Sequence, residues 1–331
     1  MARERAIVAT VNQIKALIRS HLDRDDERFL ALALQVAASE ARQGHGKAAA
    51  ELRALVDEAR KKSHASRRPI PIATPRGELT GLLSVSMPST KLTDMVLHEP
   101  IRARLERVLR EQRAFDKLQA HGLDPARKLL LVGPPGTGKT MTAAALAGEL
   151  RLPLYVIVLH ALITRFMGET AAKLRLIFDA LQEHRGVYLF DEFDAIGTER
   201  ASGSDVGEIR RVLNSFLQFL EQDDSRSLVV AATNHPSTLD RALFRRFDMV
   251  VEYSAPTEAL AQAAIANRLA AFDASGLDWE AIRPTTAGLS YAEVVAACDA
   301  AAKDAVLRDT MTITTEQLQA ALEERRHAKQ G

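Results

Sequence analysis

A glycine-rich segment carries the strongest chemical signal in the sequence. Its residues are Gly133, Pro134, Pro135, Gly136, Thr137, Gly138, Lys139 and Thr140. An apolar run precedes it and an alanine- and leucine-rich helical pattern follows, which is the strand, turn and helix context of a phosphate-binding P-loop. The glycines let backbone N–H groups point inward around phosphate oxygens, and the helix adds its N-terminal dipole. Lys139 would then reach the β- and γ-phosphates while the Thr140 hydroxyl binds Mg²⁺, so the sequence predicts an ATP/ADP site that uses Mg²⁺.

An acidic pair follows another apolar run. Asp191 and Glu192 come directly after residues 187–190. A carboxylate at the carboxyl end of a core strand beside a P-loop is where Mg²⁺ is held, partly through its water shell, and we assign this role to Asp191. Glu192 would face the γ-phosphate and polarise the attacking water as the general base. We interpret Asp194 as a structural residue.

Three further polar residues lie beyond the apolar run 228–232. The Asn234 amide could hold the attacking water without adding charge. Arg245 and Arg246 are either solvated or in structural salt bridges, or they are arginine fingers, which stabilise transition-state charge on phosphate and are worth about 10³–10⁵ in rate. Because such side chains would have difficulty folding back onto their own P-loop, we expect them to act on a neighbouring subunit.

Five apolar runs separated by helical patterns must position these groups. They span residues 129–132, 154–159, 187–190, 228–232 and 249–253. Strands alternating with helices predict an α/β fold, with a parallel five-stranded sheet and crossover helices. Helical patterns then cover residues 258–272, 291–309 and 315–328. Before the P-loop, a charged helix is predicted over residues 100–120.

The N-terminal part of the chain differs in character from the rest. Helical spacing predicts an N-terminal helical domain at 1–62, and a cluster of prolines and glycine predicts a linker at 63–91. An α/β domain at 92–253 and a helical domain at 254–331 complete the predicted organisation. A helical unit of this size has a marginal core of its own, so it is either a structural cap or a module for recruitment or assembly.

Composition excludes several classes of protein. The 331 residues carry 44 Lys and Arg against 43 Asp and Glu, a formal charge of +1, so no global basic field indicates nucleic acid or a membrane surface. No apolar run approaches the roughly 18 residues of a transmembrane helix. The single cysteine, Cys298, lies in an alanine- and valine-rich helical pattern and is interpreted as a small core residue. We expect a cytoplasmic protein.

Together these motifs resemble the AAA clade of AAA+ ATPases over roughly residues 92–305. Segment 133–140 matches Walker A, segment 187–192 matches Walker B, and Asn234 matches sensor 1. Segment 210–248 follows the second region of homology, with Arg245 and Arg246 at the arginine-finger positions. Segment 288–293 resembles the motif that opens a lid helix near the nucleotide, which implies that Gly288 binds the nucleotide. The resemblance implies a P-loop AAA+ core with a C-terminal helical lid.

One feature departs from the family pattern. The two arginines are adjacent, whereas the commonest pattern has Pro-Gly between them, so the sequence leaves open which arginine has the larger role. The lid shows no clear sensor 2 arginine, as is usual for this clade.

A short apolar segment resembles the first pore loop of AAA unfoldases. Phe166, Met167 and Gly168 form an aromatic–hydrophobic–glycine triplet, which in such rings lines a central channel and grips an extended polypeptide. The alternative is that Phe166 and Met167 end an amphipathic helix and are buried. Segment 201–207 occupies the position of a second pore loop, or it is an ordinary surface loop.

The resemblance implies an ATP-hydrolysing motor that remodels or threads protein as a homo-oligomeric ring, which we expect to be a hexamer. The alternative is an ATP-dependent assembly switch or scaffold that regulates a partner effector, such as a separate protease, without threading. The sequence contains no His-Glu-x-x-His zinc-protease motif, and its last residues lack a hydrophobic-Tyr-x ending. A third interpretation, a nucleic-acid loader, is disfavoured by the neutral charge and the absence of an added DNA-binding motif.

Overall fold

The computed structural model describes Ala33, Val36, Ala37, Leu79 and residues 81–162, 167–194, 205–239 and 241–330. The chain divides into two compact units, Met1–Pro71 and Ile72–Gly331. In the first unit Ala33, Val36 and Ala37 are helical, and the last two are buried. The rest of the predicted N-terminal helices lies outside the described residues. The predicted domain boundaries therefore remain a prediction.

A six-stranded sheet forms the centre of the second unit. Its strands are β1 (Leu83–Ser86), β2 (Lys128–Val132), β3 (Leu154–Ile157), β4 (Val187–Phe190), β5 (Leu228–Thr233) and β6 (Met249–Glu252). They lie in the order β1-β3-β4-β5-β2-β6, and all neighbours from β3 to β6 are parallel. The predicted α/β fold with five parallel strands is confirmed.

The sixth strand was not predicted. β1 pairs antiparallel with β3, with Leu83 opposite Ile157, and it comes from the segment predicted as linker. It has four residues and lies at the edge of the sheet, and Leu83 is its one buried side chain. A strand this short and this exposed leaves little hydrophobic pattern in the sequence.

Helices cover both faces of the sheet, as expected for parallel strands. They are α1 (Glu99–Arg113), α2 (Phe115–Gln119), α3 (Lys139–Leu150), α4 (Leu159–Leu162), α5 (Met167–Glu183), α6 (Asp205–Gln222) and α7 (Arg241–Phe244). Leu129 and Leu131 of β2 belong to the core that includes α1 and α3, whereas Leu130 and Val132 belong to the core that includes α5 and α6. The predicted helix 100–120 is broken at Ala114 into α1 and α2.

Four helices form the lid around a core of their own. They are α8 (Glu258–Arg268), α9 (Trp279–Thr286), α10 (Tyr291–Leu307) and α11 (Thr315–Gln330). Three of them were predicted. α9 was not predicted, because it is short and contains Pro284 in its second half; the Asp278 side chain caps its start. None of the helices described is long and apolar enough to cross a membrane.

Candidate active site

The P-loop is enclosed between the end of β6 and the lid. A Cβ on Gly133 would lie 2.4 Å from the Tyr253 carbonyl oxygen, and a Cβ on Gly136 would lie 2.6 Å from Ser290 Oγ. Both glycines have positive φ, at +147° and +72°. The Ala292 N–H, in the first turn of α10, donates to the Gly136 carbonyl at 3.0 Å. The loop therefore needs glycine for its conformation and for space, and its curled backbone fits the predicted phosphate cradle.

Lys139 lies folded over this loop. It is the first residue of α3 and 6% exposed, and its Nζ donates to the carbonyls of Gly133 at 2.7 Å and Pro134 at 2.8 Å. Burial lowers the pKa of the Lys139 amine, and the negative charges of Asp191 and Asp194 oppose that shift. Thr137 is buried beside it and donates from Oγ1 to the Pro134 carbonyl at 2.8 Å. Pro134 and Pro135 are exposed on the outer side of the loop.

The structure brings the two predicted metal ligands together. Thr140 Oγ1 donates to Asp191 Oδ2 at 2.6 Å, across the space between the start of α3 and the end of β4. Hydroxyl and carboxylate oxygens are the ligands that Mg²⁺ takes in nucleotide sites, usually with several waters retained. The donor set and its place beside the glycine cradle therefore fit a nucleotide with Mg²⁺.

Glu192 is in an unusual backbone conformation for a residue other than glycine. Its φ is +50°, its side chain is exposed, and its N–H donates to Asp191 Oδ1 at 2.9 Å. Phe193 is fully buried, and its N–H donates to the Ala232 carbonyl at 2.8 Å, which fixes the turn. Such strained conformations cluster at functional sites. The turn holds the predicted general base next to the predicted metal ligand.

Asp194 joins this turn to the tip of β5, where Asn234 lies. Its Oδ1 accepts hydrogen bonds from Thr233 Oγ1 at 3.0 Å and from the Asn234 N–H at 3.3 Å. Because β4 and β5 are neighbours in the sheet, the predicted general base and the predicted sensor residue lie at adjacent strand ends. These contacts agree with the structural interpretation of Asp194.

The two arginines have different surroundings. Arg246 pairs through Nε with Glu221 Oε1, near the end of α6. The Arg245 side chain is exposed, and no ion pair joins it to any residue that the structure describes. Within the same described part of the chain, no hydrogen bond or ion pair links either arginine to the P-loop. The structure thus separates two residues that the sequence could not distinguish.

A cavity of about 390 Å³ adjoins the P-loop. Its walls come from residues 94–96, from Thr137, Gly138 and Met141, and from lid helices α8 and α10. Its volume is within the range that holds small organic ligands, so it suits the nucleoside part of a nucleotide. Thr137 and Gly138 belong to the predicted P-loop and Tyr291 to segment 288–293, whereas the other wall residues were not predicted, because they come from distant segments and share no motif. Gly288, predicted to bind nucleotide, is exposed at the loop before α10 and does not line this cavity.

The predicted pore-loop residues are only partly described. Phe166 lies outside the described residues, as does most of segment 201–207. Met167 and Gly168 lie in the first turn of α5, so at these two positions the backbone is helical.

The fold and the site together define a P-loop nucleotide hydrolase. A glycine cradle, a lysine and a threonine follow β2, and an acidic turn follows β4. Residues 129–255 match the model of the ATPase family associated with various cellular activities (AAA). The chain belongs to this family, binds nucleotide and is an ATPase.

Similar proteins support the assignment to this family. An uncharacterized AAA family ATPase, y4kL, from Sinorhizobium fredii is 30% identical over 313 residues, 92% of this chain and 93% of the relative. The ATP-dependent zinc metalloprotease FtsH 2 of Bdellovibrio bacteriovorus is 32% identical over 75% of this chain and 43% of its own length. The proteasome-activating nucleotidase of Methanocaldococcus jannaschii is 34% identical over 65% of this chain and 52% of its own. The chain thus spans about half or less of the last two.

Replacing Gly136 by alanine should weaken ATP binding at least tenfold. The added Cβ would press on Ser290 and separate the P-loop from the start of α10. Gly122→Ala is a matched control, since Gly122 has a φ of +69° and nothing within 4 Å of an added Cβ. Both variants carry the backbone cost of a left-handed alanine, about 1–2 kcal/mol. Titration with a fluorescent ATP analogue measures the difference, and equal affinities in the two variants would contradict the packing argument.

Proposed function

We propose that this ATPase is a protein-remodelling motor whose active site is completed by a neighbouring subunit of a ring, expected to be a hexamer. The observation that carries the proposal is that Arg245 is exposed and has no ion-pair partner among the residues that the structure describes, whereas the other predicted catalytic groups lie together at one edge of the sheet. Relatives named as an ATP-dependent metalloprotease and as a proteasome-activating nucleotidase support a role in handling protein substrates.

Within one subunit, each group of the site has a defined task. The P-loop amides and Lys139 would bind the phosphates, and Thr140 with Asp191 would hold Mg²⁺, partly through water. When bound, the Mg²⁺ ion neutralises charge on the phosphate oxygens. Glu192 accepts a proton from the attacking water, and Asn234 orients that water from the neighbouring strand end. Burial of the Lys139 amine strengthens its interaction with phosphate, because the local dielectric constant is low.

The two arginines divide their work in this proposal. Arg245, whose side chain is exposed, reaches across a subunit boundary and stabilises the charge that develops on the phosphate. Arg246 is held by Glu221 and anchors the finger segment to the end of α6. The ion pair is partly exposed, so its own contribution to stability is small. The role of the Arg246–Glu221 ion pair is to fix the direction of the adjacent Arg245 side chain.

Arg245→Ala should lower kcat for ATP hydrolysis by about 10³-fold or more, the range reported by arginine-finger deletions. Arg246→Ala serves as the matched control. Its kcat should fall only about tenfold, because this substitution disturbs the position of the Arg245 side chain but does not remove it. Steady-state ATPase assays at saturating ATP measure both. A larger loss in Arg246→Ala than in Arg245→Ala would reverse the assignment.

Mixing variants tests whether the finger acts between subunits. Arg245→Ala subunits mixed with Glu192→Gln subunits should recover part of the wild-type rate, because one kind of junction then pairs an intact Glu192 with an intact Arg245. Each variant alone lacks such a junction. No recovery in preparations shown to contain mixed assemblies would indicate that Arg245 acts within its own chain.

Glu192→Gln should bind ATP normally and lower turnover by about 10²–10⁴-fold, the usual contribution of a general base. An amide keeps the shape of the side chain and removes its basicity. ATP bound without turnover should hold the assembly together, so electron microscopy of this variant gives the subunit number. Normal hydrolysis by Glu192→Gln would show that another group is the base.

Helices α5 and α6 support a threading role. α5 has 17 residues and ends just before β4, and α6 has 18 residues and ends before β5. Each helix is about 25 Å long and ends where the next parallel strand starts, at the amino edge of the sheet. Because the connection crosses the sheet from the end of one strand to the start of the next, each helix begins at the carboxyl edge. Both segments predicted as pore loops therefore overlap the first residues of helices that start at the same edge as the nucleotide site. The rings of Phe178 and Phe216, 5.7 Å apart, pack the two helices together.

Phe166→Ala should abolish substrate processing and leave ATP binding unchanged, because the lost apolar contact touches only polypeptide. Phe166→Tyr is the matched control and should retain most of the processing. A labelled, permanently unfolded protein serves as the probe, and its ATP-dependent retention by the assembly is measured. Unaltered retention in Phe166→Ala would favour an ATP-dependent assembly switch that regulates a partner without threading.

A further inference from the structure

Tyr253 contacts both sides of the P-loop. It directly follows β6, and its N–H donates to the Val132 carbonyl at 2.7 Å. Its own carbonyl oxygen would lie 2.4 Å from a Cβ on Gly133, the first residue of the loop. Its hydroxyl oxygen lies 2.6 Å from Oγ1 of Thr142, the fourth residue of α3. One residue thus contacts the strand before the loop, the start of the loop and the helix after it.

The hydroxyls of Tyr253 and Thr142 form a buried chain of hydrogen bonds. Thr142 Oγ1 also lies 3.0 Å from the Gly138 carbonyl oxygen, which can only accept. Because a threonine hydroxyl has one proton, that proton goes to Gly138, and Tyr253 donates the proton between the two hydroxyls. Burial raises the pKa of Tyr253 to about 12, so the phenol keeps its proton at neutral pH. The chain of bonds therefore runs in one direction, from Tyr253 through Thr142 to Gly138.

Neither packing nor helix stability explains these two hydroxyls. Thr142 is fully buried, and Tyr253 belongs to the apolar core that includes residues of β2 and α3. A threonine hydroxyl that bonds to the carbonyl four residues back slightly destabilises a helix. Valine and phenylalanine have nearly the same shapes and would fill the two positions with no polar group to satisfy. The two hydroxyls therefore point to a role at Gly138.

Gly138 lies where the P-loop becomes a helix. It precedes Lys139 and is the N-cap of α3. Its carbonyl oxygen accepts from the Thr142 N–H at 2.9 Å and from Thr142 Oγ1 at 3.0 Å, so two hydrogen bonds direct it along the helix. Because a peptide unit is planar and trans, the N–H of Lys139 points opposite to that carbonyl. This N–H is therefore directed out of the start of the helix, where backbone N–H groups bind phosphate.

We propose that Tyr253 is a positioning residue of the nucleotide site, which acts through the Thr142 hydroxyl to hold Gly138 in the conformation that binds phosphate. At the other end of the loop, the Tyr253 carbonyl lies against Gly133 and limits the space there. The inference rests on the P-loop site proposed above and adds to it two residues outside the P-loop motif. Tyr253 acts through the loop and does not itself contact the nucleotide.

Tyr253→Phe should weaken the binding of ATP and of ADP by the same factor, about threefold to tenfold, the effect of losing one hydrogen bond. Both nucleotides present phosphates to this part of the loop, so the factor should not depend on the γ-phosphate. The value of kcat at saturating ATP should stay nearly unchanged, because the lost contact supports the bound substrate and the transition state equally. Calorimetric titration measures the affinities, and steady-state ATPase assays measure kcat.

Tyr188→Phe is the matched control. The Tyr188 hydroxyl donates to the carbonyls of Ala180 and His184, which lie at the end of α5 and after it. Loss of these bonds should lower the melting temperature and leave nucleotide affinity unchanged. An effect on stability alone therefore appears in both variants, whereas an effect on the position of the P-loop appears only in Tyr253→Phe.

The double variant Thr142→Val with Tyr253→Phe separates positioning from packing. It replaces both partners by apolar groups of similar shape and leaves no buried hydroxyl unsatisfied, so the nucleotide-free protein should melt close to the wild-type temperature. The Gly138 carbonyl then accepts only from the N–H of residue 142, so the affinity for ATP and ADP should stay low. Wild-type affinity in this double variant would show that the two side chains only pack, and would overturn the proposal.

Equal affinity of wild type and Tyr253→Phe for ATP and ADP would also overturn it. Lys139→Ala separates this failure from a failure of the site itself. If Lys139→Ala binds ATP as wild type does, the nucleotide site is misassigned, whereas normal binding by Tyr253→Phe alone removes only the role of Tyr253.

Discussion

The close approach of three backbones at the P-loop is the constraint on which the rest of the site depends. Gly133 lies against the Tyr253 carbonyl at the end of β6, and Gly136 lies against the first turn of α10. One short loop thus contacts the sheet on one side and the lid on the other. Protein interiors transmit displacement because they are close-packed, so a ligand that shifts this loop shifts both neighbours. The contact between Gly136 and Ala292 gives the nucleotide site a direct route to the lid.

Charge is arranged around the loop in a way that serves the same site. Lys139 is largely buried and is bonded to carbonyl oxygens of the loop, while Asp191 and Asp194 lie in the turn that follows β4. Each carboxylate holds a different element: Asp191 contacts the start of α3, and Asp194 contacts the tip of β5. The negative groups therefore also fix the positions of Glu192 and Asn234. Asp191 and Asp194 thus stabilise the fold of the site and also position its predicted catalytic groups.

Sequence patterns predicted the parts of the fold that have strong periodicity. The five parallel strands follow from apolar runs, since strands buried on both faces need continuous hydrophobic residues. β1 and α9 were not predicted, for different reasons. β1 buries too few apolar side chains to give a pattern, and α9 contains a proline near its end that interrupts the helical pattern. The P-loop and acidic motifs were visible because their chemistry requires fixed spacing. The cavity was not, because packing between distant segments forms its walls.

The two arginines show most clearly what only three-dimensional structure adds. Adjacent residues of one type are equivalent in sequence, and the family pattern could not rank them, because here they lack the usual separation. Glu221, 25 residues away from Arg246 in the chain, breaks that equivalence by pairing with one of them. The pair also ties the finger segment to α6, whose first residue, Asp205, belongs to the second predicted pore segment. In the proposed ring, an interaction of Arg245 with the nucleotide of a neighbouring subunit would therefore displace α6, which begins in the predicted pore segment. In that arrangement α6 would couple ATP hydrolysis at one subunit junction to movement of the polypeptide in the channel.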